Sequence, residues 1–555
     1  MAISAIATAS LFTFGISALA QESSPITPTR NLIVMVSDGT SGGLLGLSRW
    51  YQQYLEPRED LQSLAIDPYI CGLVRVHSSD APMPESSGSM SAYMTGVLQQ
   101  GRNISIYPQA NPSQDLVKVD PEREFQPLAT LAEAARTEQG KSVGAVVTCT
   151  FYHATPAATT SHSVERGNSH DIARQMASQG LDVMFGGGAK MMDEDMREIL
   201  SREGITYYDC DMEGFRSHEK GKVWALFNRY HLSYEIDRDT LAEPSLTEMT
   251  RKAIELLNQN ENGFFLMVEG SKVDMAAHSK DAVGTVTEFL EFNRAFQAAV
   301  DFARKDGNTT VIAVADHGTS GIQMGDANFR GYTKAPLDSI FHNFSRFRAS
   351  GVKMDQMIRE CDTSEVRDIF RKWTGIELTK DEYNAILRQR GVEVEDYMSV
   401  SLEPNLSLQI NNIMTSRTHI GFVSGNHTGE DVYLAVYNPR GQRPEGLVRN
   451  IALNRYMQSV MGLPEPLDSL TQKLFIPHEK LLDGFSYSIA DSHDGPSLTV
   501  RTKKGSVTIH SNRSYAEVSS KDGAVREVPL GSVAVYIKEN GKFYLPASLK
   551  GLLQE

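Results

Sequence analysis

Phe264-Phe265-Leu266-Met267-Val268-Glu269-Gly270-Ser271-Lys272-Val273-Asp274-Met275-Ala276-Ala277-His278 begins as an uncharged apolar run, meets a carboxylate and then changes period. Its first five residues suit a strand buried on both faces, and Glu269 follows them immediately. Beyond Gly270 the spacing is helical: Asp274 and His278 lie four apart, so a helical turn presents both side chains on one face. The stretch therefore delivers three metal-binding residue types to the exit of one strand.

Four further short runs rich in β-branched residues read as buried strands: Leu32 to Val36, Val143 to Val147, Val311 to Ala315 and Val432 to Val436. Helical patterns separate them, among them Leu128 to Gln139, closed by Gly140, and Val283 to Lys305, closed by Gly307. This alternation predicts an α/β fold, a doubly wound and mostly parallel sheet flanked by helices. Ligands bind such sheets beyond the carboxyl ends of their strands. Asp38, His153, Thr155, Glu269, Asp316 and His317 all fall just past strand ends, so one edge collects them.

From about residue 326 to 418 the pattern turns irregular and charged, with helical stretches at Ser364 to Trp373 and Lys380 to Arg390. It reads as a mixed insertion in a catalytic domain spanning 21–463. Pro464-Glu465-Pro466 reads as a linker. Within 467–555, Ser497 to Thr502, Ser506 to His510, Tyr515 to Val518 and Ser532 to Ile537 alternate apolar and polar residues, which predicts a small C-terminal antiparallel β domain. Asp491, His493 and Asp494 in this part read as a solvated turn rather than a metal site.

The 555 residues carry 54 Lys+Arg against 69 Asp+Glu, a net charge of −15, and no concentrated basic patch, which disfavours a nucleic-acid partner. Clustered carboxylates instead suit divalent cations. Residues 1–20 are nearly free of charge and end in Ala18-Leu19-Ala20, as a cleaved signal peptide does. That predicts export to the periplasm or the extracellular space, with a short membrane anchor as the alternative. No other stretch is apolar and long enough to span a bilayer. Cys71, Cys149, Cys210 and Cys361 contain no CxxC pair, and their pairing is left open.

Asp274 and His278, Asp316 and His317, the isolated His427 and the carboxylate of Asp38 supply two Asp/His sets, which suit two zinc ions. Glu269, a threonine hydroxyl and a shared carboxylate supply hard oxygens, as magnesium prefers. Two zinc ions would clamp the attacking and leaving oxygens of an in-line displacement. The segment Met83 to Gly96 begins as a Pro-containing loop and becomes a small-residue helix. Ser86 at its start is either a nucleophile stabilised by the helix dipole or an ordinary N-cap.

Taken together these residues resemble the alkaline phosphatases. The family pattern D-S-A-x-[ST]-x-[ST]-A-x-x-[TC]-G is similar to Glu85–Gly96, and V-E-G-x-x-[IV]-D-x-x-x-H to Val268–His278. Ala315–His317 matches A-D-H, His427–Gly429 matches H-T-G, and Ala154–Arg166 matches A-[ST]-P-A-x-x-x-x-H-x-x-x-R. The resemblance implies phosphomonoester hydrolysis through a phosphoserine at Ser86. It implies one zinc on Asp274, His278 and His427, a second on Asp38, Asp316 and His317, and magnesium on Asp38, Thr155 and Glu269. It implies Arg166 as the phosphate clasp and a homodimeric enzyme acting on small phosphate esters.

The chain differs from family members at Glu85, His153 and Met275. Glu85 stands where the family has Asp, one methylene longer; His153 replaces an Asp found in some members; Met275 sits where others carry a charged or polar residue. His162 matches the pattern but reads as a supporting core residue. Three rivals are weighed. A sulfatase would need C/S-x-P-x-R, but Cys71-Gly72-Leu73-Val74-Arg75 has no proline and reads as a strand. A related phosphodiesterase would lack Glu269. A catalytically impaired metal- or phosphate-binding protein takes Glu85 as its argument.

Overall fold

A computed structural model describes residues 25–327, 329–391, 405–492 and 495–554. The leader stretch 1–20, His493 and Asp494 lie outside the described residues. The strands Asn31–Ser37 (β1), Ile70–Arg75 (β2), Ser142–Thr150 (β3), Val183–Gly187 (β4), Ile205–Asp209 (β5), Lys222–Leu226 (β6), Phe264–Gly270 (β7) and Thr309–Val314 (β8) join Val432–Tyr437 and Gly446–Arg449 in one sheet. Among the described residues this sheet has ten strands, in the order Gly446–Arg449, β2, Val432–Tyr437, β8, β1, β7, β3, β4, β6, β5. β1 sits at its centre, parallel to β7 and β8. Val432–Tyr437 runs antiparallel to both of its neighbours.

Every residue of β1, β7 and β8 is buried, as unbroken apolar runs covered on both faces must be. The helix Ala282–Asp306 packs along the sheet. The Asp281 carboxylate caps it by accepting from the Gly284 N–H at 2.8 Å, and Gly307 in the left-handed region (φ 69°) closes it. β4 ends in two glycines, β5 is only partly buried and β6 opens on Lys222, so none of them is the unbroken apolar run that marks the central strands. The described part of the 326–418 insertion contains the helices Leu337–Phe344, Gly351–Glu360, Val366–Thr374, Lys380–Gln389 and Leu406–Thr415. A short antiparallel pair, Gln323–Met324 with Ile420–Gly421, closes its neck.

Pro466 leads directly into the helix Leu467–Leu474, whose Leu467, Leu470 and Leu474 join the main core. Beyond it, Ser486–Ser492, Gly495–Arg501, Gly505–His510, Tyr515–Ser520 and Val525–Pro529 form a five-stranded antiparallel meander with its own small core around Leu498, Val500, Val507 and Ile509. Asp491 lies within the first of these strands. The run Ser532 to Ile537 supplies Val535–Ile537 to a separate three-stranded sheet, and Val533, Val535 and Ile537 pack into the main core instead.

The β region is docked by polar contacts on the helices Ser169–Ser178 and Glu194–Arg202. Arg513, 5 % exposed, donates through Nη2 to both oxygens of Asp195 at 2.6 and 2.7 Å, and Asp195 also meets Arg174 at 3.1 Å. Asn512 donates to Asp171 and accepts from Gln175, both at 2.9 Å. Replacing Arg513 with Ala leaves Asp195 half-compensated, so the variant should lose about 2 kcal/mol in a urea titration. An unchanged midpoint would show that the Arg513–Asp195 pair contributes nothing to docking. No helix among the described residues is long and apolar enough to cross a membrane.

Candidate active site

Each buried central strand ends by releasing polar side chains onto the same edge. β1 gives Asp38, β7 gives Glu269 and leads into the short helix Lys272–His278 with Asp274 and His278, and β8 gives Asp316 and His317. Gly39 turns sharply away from β1 at φ 65°, and a Cβ there would lie 2.5 Å from Asp274 Oδ1, so only glycine allows these strand exits to approach. His427 arrives from far along the chain because His427–Thr428 pairs antiparallel with Gly318–Thr319. Its ring stacks on His317 at 3.7 Å.

Asp274, His278 and His427 converge. His278 Nδ1 donates to the Gly425 carbonyl at 2.8 Å and His427 Nδ1 to the Pro84 carbonyl at 2.9 Å. A carbonyl oxygen only accepts, so both rings carry a proton on Nδ1 and turn Nε2 inward, where each ring in its neutral form offers a lone pair. Those two Nε2 atoms lie 3.1 Å apart, with Asp274 Oδ2 3.3 Å from that of His278. Burial opposes ionisation of Asp274, but the imidazoles around it outweigh that and hold it well below the usual carboxylate range.

Asp38, Asp274 and His317 form a second group. His317 Nε2 lies 3.6 Å from Asp38 Oδ1 and 3.2 Å from Asp316 Oδ2. Asp316 Oδ1 accepts from the Gly39 and His317 amides, while its Oδ2 and both oxygens of Asp38 make no hydrogen bond. Burial, then the neighbouring carboxylates, push Asp38 well above the usual range; burial and Asp274 push Asp316 up to about 6. Burial takes His317 and His427 down to about 4, so both rings are neutral ligands near neutral pH.

Glu269 is fully buried and pushed up to about 7 by desolvation. Its Oε1 has no hydrogen-bond partner, and neither has the buried Thr155 Oγ1. Four carboxylates are thus sequestered around a set of orphaned oxygens. Such burial is costly unless cations compensate it, so these donors fit divalent ions.

Ser86 opens the helix Ser86–Thr95, but its N-cap is Glu85, whose carboxylate accepts from the Gly88 N–H at 3.2 Å. The Ser86 hydroxyl is therefore not occupied in capping; its Oγ lies 3.2 Å from His317 Nε2. Ser87 donates to Glu85 instead. Glu85 also accepts from the Arg102 amide at 2.7 Å and pairs with the Arg166 guanidinium, whose Nη2 reaches His153 Nε2 at 3.4 Å. Burial would raise the Glu85 carboxyl, yet Arg166 and these donors hold it down at about 2.

Against an ordinary value of 4.5, this depression supplies about 3 kcal/mol of folding stability at neutral pH. The contribution is full above about pH 4.5 and is lost as pH falls toward 2. Glu85→Gln should flatten that part of the acid-unfolding curve and loosen Arg166, raising KM for a phosphate ester about tenfold with a smaller change in kcat. An acid-unfolding curve identical to wild type would refute the assignment.

All twelve residues singled out in the sequence lie at this edge or directly behind it. His162 does not: it is buried between Glu133 Oε1 and the Ser105 carbonyl, both at 3.1 Å, as a core residue. Sequence reading missed Cys149 and His231. Cys149 lies beside Glu269, and His231 packs edge-on to His153 with ring centroids 5.8 Å apart. The spacing C-x-x-x-H from Cys149 to His153 was the available signal for the first; His231 lies on a loop with none.

Fold and site together define an α/β protein with, among the described residues, three candidate metal-holding groups and a helix-start serine on the carboxyl edge of its central strands. The alkaline phosphatase family model matches residues 29–463. Alkaline phosphatase 3 of Bacillus subtilis is 31% identical over 435 residues, covering 76% of this chain and 86% of the relative. Alkaline phosphatase 4 of the same organism is 29% identical over 432 residues with the same coverage. The crystal structure of Thermus thermophilus alkaline phosphatase superposes with a TM-score of 0.68 at 26% identity, covering 82% of this chain and 96% of that one. The chain belongs to the alkaline phosphatase family and is an enzyme of that class, a phosphomonoester hydrolase.

Proposed function

We propose that the protein hydrolyses phosphate monoesters through a phosphoserine formed on Ser86. The observation that carries this is the position of Ser86 Oγ, spared from capping and facing His317 Nε2. Asp274, His278 and His427 would hold one zinc, Asp38, Asp316 and His317 a second, and Asp38, Thr155 and Glu269 a third dication, read from the sequence as magnesium. Bound zinc ions lower the pKa of a serine hydroxyl and stabilise the departing ester oxygen.

The chain's own residues supply the rest. Ser86 gives its hydroxyl proton to solvent, Oγ bonds to phosphorus as the P–O ester bond breaks, and the departing oxygen keeps the electron pair and takes a proton from water. Water then breaks the Oγ–P bond from the opposite side, releasing inorganic phosphate and restoring the serine. Arg166, held by Glu85, offers its fork to two phosphate oxygens, which lysine could not do. The N-terminus of the helix Ser86–Thr95 favours the same negative charge.

Acid quench of the enzyme with radiolabelled phosphate tests this: label should appear on Ser86 in the wild type and be absent from Ser86→Ala. Label on another residue, or turnover with none, would overturn it. On the same reading, residues 21–463 are the catalytic domain and 467–555 an accessory β domain. The enzyme is exported with residues 1–20 as its leader, and it works as a homodimer, which light scattering of the purified protein would check.

A further inference from the structure

Magnesium takes oxygen donors and avoids sulfur, whereas zinc takes thiolate, imidazole and carboxylate together. The surroundings of Glu269 contain all three of the latter. Cys149 is fully buried at the carboxyl end of β3, and its Sγ lies 3.6 Å from Glu269 Oε2. One ring nitrogen of His153 joins them, so that the sulfur, the nitrogen and a carboxylate oxygen all fall within 4.8 Å of one another. The second oxygen of this fully buried carboxylate, Oε1, has no hydrogen-bond partner and marks a missing ligand.

The scaffold around the trio is stiff. The Thr148 and Cys149 amides both donate to Ser271 Oγ at 3.2 Å, locking the end of β3 to the end of β7. The His153 amide donates to the Thr150 carbonyl at 2.9 Å, which closes the turn between the cysteine and the histidine. His231 packs edge-on against the His153 ring, and the Thr150 amide donates to His231 Nδ1 at 3.2 Å. The donors are therefore fixed by backbone contacts that do not depend on a bound ion.

We propose that Cys149, His153 and Glu269 bind a thiolate-coordinated transition ion, zinc in the resting enzyme, where the oxygen set alone would select magnesium. The inference rests on the multi-metal reading above and sharpens its third site. On binding, the S–H bond of Cys149 is replaced by a sulfur–metal bond and one proton passes to solvent.

The test uses the full-length holoenzyme, stripped with a chelator and reloaded. Elemental analysis after equilibration with excess zinc and magnesium should give three zinc per chain and no magnesium; two zinc and one magnesium would overturn the proposal. Cobalt loaded to three equivalents should produce a near-ultraviolet thiolate-to-cobalt charge-transfer band. Cys149→Ser should abolish that band and shift the third site toward magnesium by about tenfold or more, while Cys210→Ser, at an exposed cysteine, should keep the band. A fully loaded wild-type protein without the band refutes the proposal even if Cys149→Ser fails to fold, and leaves the phosphatase reading intact. Binding of fewer than two ions, with no phosphoserine trapped, would instead overturn the multi-metal reading and this inference with it.

Discussion

Ser86→Ala lowers turnover of a simple aryl phosphate by at least about 10⁴-fold while metal content and melting temperature stay near wild type. The size follows from the site. Ser86 is the first residue of its helix rather than the cap, so losing its hydroxyl breaks no capping bond and removes only the group facing His317. Glu85 and Ser87 remain to hold the helix start and Arg166. What disappears is the atom that must bond to phosphorus. A steady-state assay with zinc and magnesium present measures the loss. Less than a tenfold drop would remove Ser86 as the nucleophile, and Ser87, one residue on, would be examined next by the same substitution.

Asp274→Ala should have an effect of similar size on activity, but by another route and with another signature. Asp274 would hold the first ion with His278 and His427, and its carboxylate also lies within 4.8 Å of donor atoms of Asp38 and His317, so its removal takes a ligand from one site and a neighbouring negative charge from the other. Thr319 Oγ1, which donates to Asp274 Oδ1 at 2.5 Å, loses its acceptor as well. Zinc content should fall below one per chain, and hydrolysis should drop to background. The melting temperature should also fall, because Asp38, Asp316 and Glu269 then remain buried together with less cation to balance them. Retention of two zinc per chain would show that Asp274 ligates neither ion. The two variants separate chemistry from assembly: one loses turnover with its metals in place, the other loses the metals first.

The elements that the sequence made legible are those with the strongest physical signature. Leu32 to Val36, Phe264 to Val268 and Val311 to Ala315 are buried on both faces, and unbroken apolar runs are what such burial demands, so they stand out without an alignment. The helix Ala282–Asp306 is long, and its closing glycine takes the positive φ that its position requires. β4, β5 and β6 stayed hidden because none is an unbroken apolar run: β4 ends in two glycines, β5 is only partly buried and ends in Asp209, and β6 opens on Lys222. The run Ser532 to Ile537 alternates like the meander strands beside it, yet it packs into the other core, a choice its local pattern does not contain.

The site divides in the same way. Strand ends and spacing brought out Asp38, Thr155, Glu269, Asp274, His278, Asp316, His317 and His427, because metal-binding side chains released just past buried strands have few other uses; Ser86 stayed open between cap and nucleophile, and Arg166 came only with the family resemblance. Spacing could not say whether Ser86 or Glu85 caps the helix. That depends on a carboxylate one methylene longer reaching back to the Gly88 amide, a contact that exists only once the turn is folded. Nor could it fix which imidazole nitrogen faces an ion, since the Gly425 and Pro84 carbonyls that set the tautomers of His278 and His427 come from distant loops. Cys149 reads in one dimension as one more small residue in a buried strand. The parallel pairing of β3 with β7 places it against Glu269, 120 residues away, and that neighbour turns a core thiol into a candidate ligand. The sequence by itself determined the class of the enzyme through the resemblance of its motifs to a family, and the residue types of its centre through local period and spacing. Tertiary structure alone decided which donors share a point in space, because strand register and loop carbonyls, not sequence neighbours, set those distances.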